Sequence, residues 1–149
     1  VNMGESKLFK KMSKASDKWG ESNDCTVKAV AIATGVNYET AHGKCALRGR
    51  SYRKGLSESK MRWAMKDLDF VTEVVEGNHK MSPTLWRQKY NSSMTIGSMQ
   101  RAGIIPKRGV YIVFTRSHVL CVRAGQIHDW TSGRRHRVTS VYHVRRKKQ

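Results

Sequence analysis

Three side chains of this 149-residue chain carry the chemistry it can support: Cys25, His118 and Asp129. Cys25 directly follows Asp24, a helix-capping residue type, and opens the run Cys25-Thr-Val-Lys-Ala-Val-Ala-Ile-Ala-Thr34 before Gly35. A cysteine in the first turn of a helix faces unpaired N–H groups and the positive end of the helix dipole. Both favour the thiolate, the form that attacks carbonyl carbon, and the same N–H groups can stabilise a tetrahedral oxyanion. Asp24 opposes that charge, so the thiolate needs a cationic partner.

A cysteine nucleophile requires a base, and the base requires an acceptor that orients it. Six histidines are available, and strand geometry separates them. Ala124-Gly125 reads as a two-residue hairpin turn. That register pairs Arg123 with Gln126, Val122 with Ile127, Cys121 with His128 and Leu120 with Asp129. His118 and Asp129 then share one face as diagonal neighbours, and Cys121 and His128 share the other. Taken singly, each residue has an ordinary structural reading: a buried small thiol, a solvated histidine at a strand start, a carboxylate binding its own turn. Their order along the chain is what points to catalysis.

The elements that must position them are of two kinds. Leu8, Met12, Ala15 and Trp19 recur at helical spacing, predicting an amphipathic basic helix over residues 1–19. The run after Cys25 is apolar nearly all round, which predicts a helix buried at the domain centre. Asn37 can cap a helix reaching Leu47, and Ser57 one with Met61, Ala64, Met65 and Leu68 on its inner face. Phe70–Val75 reads as a strand, and short helices fit Pro83–Tyr90 and Ile96–Ala102. The chain then turns β-rich, with strands expected at Gly109–Thr115, His118–Arg123, Gln126–Trp130 and Arg137–Val144, and a frayed basic tail over residues 145–149. The fold class is α+β in one domain spanning 1–149: N-terminal helices, including the nucleophile helix, packed on a C-terminal antiparallel sheet.

Asn23-Asp24-Cys25-Thr26-Val27-Lys28-Ala29-Val30-Ala31-Ile32-Ala33-Thr34-Gly35, with Tyr38-Glu39, resembles the nucleophile helix of small papain-like, C39-like cysteine peptidase domains, including phage-encoded ones. His118-Val119-Leu120-Cys121-Val122 and Gly125-Gln126-Ile127-His128-Asp129-Trp130 resemble their histidine and acid strands. The resemblance implies a papain-like architecture, with Cys25 as nucleophile, His118 as general base and acid, and Asp129 as its orienting group. It also implies a peptide or protein substrate, a phage or other mobile-element source, and no cofactor. The NlpC/P60 group is a near competitor, since it too places a cysteine after Asp and a histidine at a strand start. One position departs from the family pattern: the usual upstream Gln of the oxyanion hole is missing from Trp19-Gly20-Glu21-Ser22-Asn23, which leaves Asn23 and Ser22 as candidate donors.

The remaining signals are compositional. Lys and Arg number 29 against 11 Asp and Glu, a formal net charge of +18. Such a surplus favours polyanions, and the candidate contacts are Lys7, Lys10, Lys11, Lys14, Arg134, Arg135, Arg137, Arg145 and Arg146. The alternative to an enzyme is therefore a basic, nucleic-acid-associated or virion protein on the same fold, with weak or no catalysis. Three cysteines cannot all pair within the chain, which suggests reduced thiols in a host cytoplasm or a virion. No run of about 18 apolar residues exists, so neither a membrane span nor a membrane partner is expected. The N-terminus has no apolar signal core. Cys121 with His128 falls short of a metal set, and none is expected. His42 and Cys45 share a helix face through packing. Trp63, Trp86 and Trp130 read as core or groove lining rather than nucleotide stackers.

Overall fold

A computed structural model describes residues 6–76, 79–80, 94–130 and 135–148. Four helices come first: α1 (Lys7–Lys18), α2 (Cys25–Thr34), α3 (Tyr38–Leu47) and α4 (Glu58–Asp67). They are followed by β1 (Phe70–Glu76), β2 (His79–Lys80), a short α5 (Ile96–Arg101), then β3 (Val110–Thr115), β4 (Val119–Arg123), β5 (Gln126–His128) and β6 (Val138–Arg146). All strand pairs are antiparallel, in the order β2-β1-β6-β3-β4-β5. The last strand is thus threaded between β1 and β3. The expected helix at Pro83–Tyr90 lies outside the described residues.

Local chemistry sets the helix limits. Ser6, Asn37 and Ser57 each accept a backbone N–H of the first turn, from Phe9, Thr40 and Lys60 respectively. Gly35 ends α2 in the left-handed region at φ 82°, where only glycine sits without strain. Eight of the ten residues of α2 are buried, and Cys25 and Lys28 are the two that are not. That helix is wedged between α1, α3 and the sheet.

The sheet is covered on both faces, which explains its nearly unbroken apolar strands. Ile112, Phe114, Cys121 and Tyr142 join the helices in one core. Tyr111, Val113, Leu120, Val122 and Val141 face the other way, onto Ile96, Met99, Ile104 and Ile105. This second core, with α5 at its centre, is not anticipated by a scheme of helices on one side of a sheet.

Three expectations are corrected. The buried stripe of α1 is Phe9, Met12 and Ser16, whereas Leu8 and Trp19 are 39% and 42% exposed. The larger Phe9 takes the core position, and the Ser6 hydroxyl, 2.6 Å from His128 Nδ1, ties the start of the helix to β5. Arg145 and Arg146 are not part of a frayed tail, since they pair in β6 with Val71 and Phe70. Trp63 and Trp130 are 60% and 58% exposed, so neither is core, and Trp86 lies outside the described residues.

Candidate active site

The hairpin register falls where the turn chemistry puts it. Arg123 pairs with Gln126, Val122 with Ile127 and Cys121 with His128. Ala124 and Gly125 both have positive φ, 51° and 80°, the type I′ geometry that matches the twist of a hairpin. His118 sits one residue before β4. Its carbonyl accepts both the amide N–H of Thr115, at 2.8 Å, and the hydroxyl of Thr115, at 3.2 Å. The tight loop Arg116-Ser117 thereby fixes the backbone from which the imidazole projects.

The structure brings Cys25, His118 and Asp129 together. His118 Nε2–H donates to both carboxylate oxygens of Asp129, each at 2.9 Å. Asp129 is 1% exposed, so this imidazole is held by a carboxylate with little access to water. With Nε2 engaged, Nδ1 is the ring nitrogen left for the thiol, and the two side chains line one cleft, close enough for the imidazole to act on the thiol. Cys25 is half-buried at the first position of α2, where the opening N–H groups have no intrahelical acceptor.

The electrostatics follow from those contacts. Burial raises the Cys25 thiol, but the hydrogen bond and charge of His118, with the N–H groups of Val119 and Thr26, outweigh it and hold the thiol below its ordinary value. The Asp129 hydrogen bond, then the Cys25 one, raise His118 to about 9 against the opposing effect of burial. The other two cysteines behave in the opposite way: burial pushes Cys45 to about 11 and Cys121 to about 12. Asp24 does not make the side-chain cap that its position suggests. Its carboxylate instead accepts the Tyr38 hydroxyl at 2.7 Å and lies 3.6 Å from Lys28 Nζ. Much of its opposition to a thiolate is thereby absorbed.

A cleft of about 700 Å³ opens at the thiol, lined by Cys25, Thr26, Gly55–Ser59, Phe114–Val119 and Thr139. Neither proposed oxyanion donor lines it. Asn23 sits at φ 51° and turns its amide to the Arg53 carbonyl, 3.1 Å away. Ser22 gives its N–H to Glu21, and its carbonyl accepts from Arg50. The backbone N–H groups of Thr26, at the opening of α2, and of Val119 are donors at the sulfur.

Two neighbours of the site carry no motif in the sequence. His136 sits edge-on to His118, ring centres 5.6 Å apart, with its Nδ1 buried and without a hydrogen bond among the described residues. Ligand atoms of His118, Asp129 and His136 all lie within 4.8 Å of one another, so these three could hold a divalent cation between them. The second neighbour is the support under the loop before Cys25. The Glu21 side chain is fully shielded and accepts from both terminal nitrogens of Arg50, from His42 Nε2 and from the Arg53 backbone N–H. The Arg50 hydrogen bond leads in lowering Glu21 to about 2. Only the residue types hint at this network, since its members are spread over 32 positions.

The remaining candidates do not converge on the thiol. Lys7, Lys10, Lys11 and Lys14 are exposed along α1, as are Arg135 and Arg137. Arg145 pairs with Glu73, the Arg146 guanidinium lies over Phe70, and Arg134 is outside the described residues. Cys121 is buried opposite His128, whose Nδ1 is taken by Ser6. His42 turns to Glu21 while Cys45 is fully buried, so these two form no joint site. No helix among the described residues is long and apolar enough to cross a membrane. Compared with protein-family models, curated proteins and solved structures, the chain shows no match, so the functional reading rests on the geometry alone.

Proposed function

We propose that this chain is a thiol hydrolase of papain-like architecture that cleaves peptide or isopeptide bonds through Cys25, His118 and Asp129. The observation that carries the reading is the pairing of a thiol at a helix start with an imidazole whose other nitrogen is bound to a buried carboxylate. The open cleft at the sulfur supplies room for an extended substrate.

In the proposed reaction the Cys25 thiolate attacks the substrate carbonyl carbon, and the oxygen takes up the negative charge facing the N–H groups that open α2. The C–N bond breaks as His118, protonated at Nδ1, gives that proton to the departing amine. His118 then takes a proton from water, the resulting hydroxide attacks the thioester, and the acid is released as the Cys25 thiolate and the His118 imidazolium re-form. Asp129 fixes the ring orientation and stabilises the imidazolium.

An electrophilic peptide probe, such as a vinyl sulfone, tests this directly. The expected result is labelling of Cys25 with neither Cys45 nor Cys121 modified, and loss of labelling in His118→Ala. Equal labelling in the His118→Ala protein, judged folded by circular dichroism, would rule the reading out.

A further inference from the structure

Away from the thiol, α4 presents Trp63 outward, 60% exposed. An indole this exposed offers a flat π surface to a partner, and the surroundings restrict what that partner can be. Trp63 walls two clefts. One, about 510 Å³, adjoins Arg48, Lys60 and Leu47. The other, about 370 Å³, adjoins Arg62, Lys66, Lys147 and Phe70. Five cationic residues line the two clefts together, and no carboxylate among the described residues does. Arg48 lies over the indole at 4.8 Å, and its charge is met by Asp67 through two 2.6 Å hydrogen bonds. Lys60, Lys66 and Lys147 have no ion pair among the described residues.

We infer that this face binds single-stranded nucleic acid, with a base stacked on Trp63 and the flanking phosphates on Lys60, Lys66 and Lys147. A flat π surface interleaved with unpaired cations is what a strand with splayed bases requires. In a duplex the bases are already stacked on one another and cannot reach the indole. An acidic peptide would meet the same charges but offers no planar group at regular spacing. Stacking reads no base edges, so binding should tolerate sequence. The inference is independent of the thiol chemistry, although Ser59 lines these clefts and the one at Cys25, so the two surfaces adjoin.

The test uses the full chain and a fluorescein-labelled 12-mer of oligo-dT, read by anisotropy, beside a duplex of equal length, heparin and poly-glutamate. Single strand is expected to bind most tightly. Three lysines without an ion pair among the described residues predict a fall of log affinity with log salt of slope about −2. Trp63→Ala should weaken the 12-mer by about tenfold and leave heparin unchanged, while Trp63→Phe restores most of the loss. Lys66→Gln with Lys147→Gln should flatten the salt slope. Unchanged 12-mer affinity in Trp63→Ala overturns the inference. So does equal binding of heparin, duplex or poly-glutamate, which would mean that charge alone governs this face.

Discussion

Removing the Asp129 carboxylate tests how the site is charged. The rise of His118 from 6.5 to about 9 has Asp129 as its first cause, and it corresponds to about 3 kcal/mol of preference for the charged ring. In Asp129→Ala the imidazole should titrate well below 9, toward its ordinary range. The thiol then loses its cationic partner and rises, because burial alone pushes it up. Alkylation of Cys25 by iodoacetamide at pH 7 should slow by about tenfold or more as the thiolate becomes scarce. Cys45 and Cys121, buried and shifted upward, stay silent in the same assay. The proton resonance of the His118 ring carbon, followed from pH 5 to 10, gives the second readout. Stability adds a third. His118 is raised on folding, so its share of stability is full below 6.5 and fades as pH climbs through about 9. Cys25 is lowered, so its share is present above its ordinary value of 9.0 and is lost as pH falls. The two act in opposite directions as pH rises toward 9.0 in the native protein. Cys25→Ala removes the thiol's share and also its part in raising His118, so stability should then drop as pH rises above 6.5, by less than the full shift of about 3 kcal/mol. An alkylation rate and a His118 midpoint both unmoved by Asp129→Ala would refute the charge-pair account.

Two further changes probe the supports of the site. Glu21→Gln leaves Arg50, 2% exposed, as a buried charge without its carboxylate. Urea unfolding should show a loss of about 3 kcal/mol, and a loss below about 1 kcal/mol would mean that the network does not hold the loop before Cys25. Ala124 occupies the left-handed region at φ 51° and is exposed. Ala124→Asn keeps the turn and adds a side chain whose local hydrogen bonding favours the left-handed region, so it should stabilise by about 0.5–1 kcal/mol, a rise of about 1–4 °C in Tm. A lowered Tm would show that Ala124 is not strained.

The parts of this molecule that are legible in sequence are those fixed by local rules. Asn37 and Ser57 announce their helices because a side-chain acceptor before an apolar run has few other uses. The β4–β5 register is legible because a two-residue turn leaves no freedom: once Ala124-Gly125 is the turn, Cys121 must oppose His128. That parity is also what puts His118 within reach of Asp129. What sequence does not reveal is decided between distant segments. The α1 stripe turns by one position, from Leu8 to Phe9, because the helix is tied to β5 through Ser6 and His128, a contact spanning 122 residues. Glu21 looks like a surface acid until Arg50 and His42 close over it, and His136 looks like part of a basic run until it meets the His118 ring.

Trp63 shows why local rules and functional surfaces part company. On α4 the periodicity of Met61, Ala64 and Met65 already assigns position 63 to the outside, while its residue type argues for the inside. A core position would have resolved that conflict by burial, and this one does not. The chain departs from its own binary pattern there, in a neighbourhood of cations where no carboxylate among the described residues lines either cleft. The Asp24-Cys25 start of α2 departs from helix chemistry in the same sense, since a carboxylate beside a nucleophilic sulfur works against it. There the structure answers with Tyr38 and Lys28, which draw the Asp24 charge away from the thiol. No intramolecular contact among the described residues does the same for the lysines around Trp63. Charges left unmet on one face are what the proposed strand would meet with its phosphates.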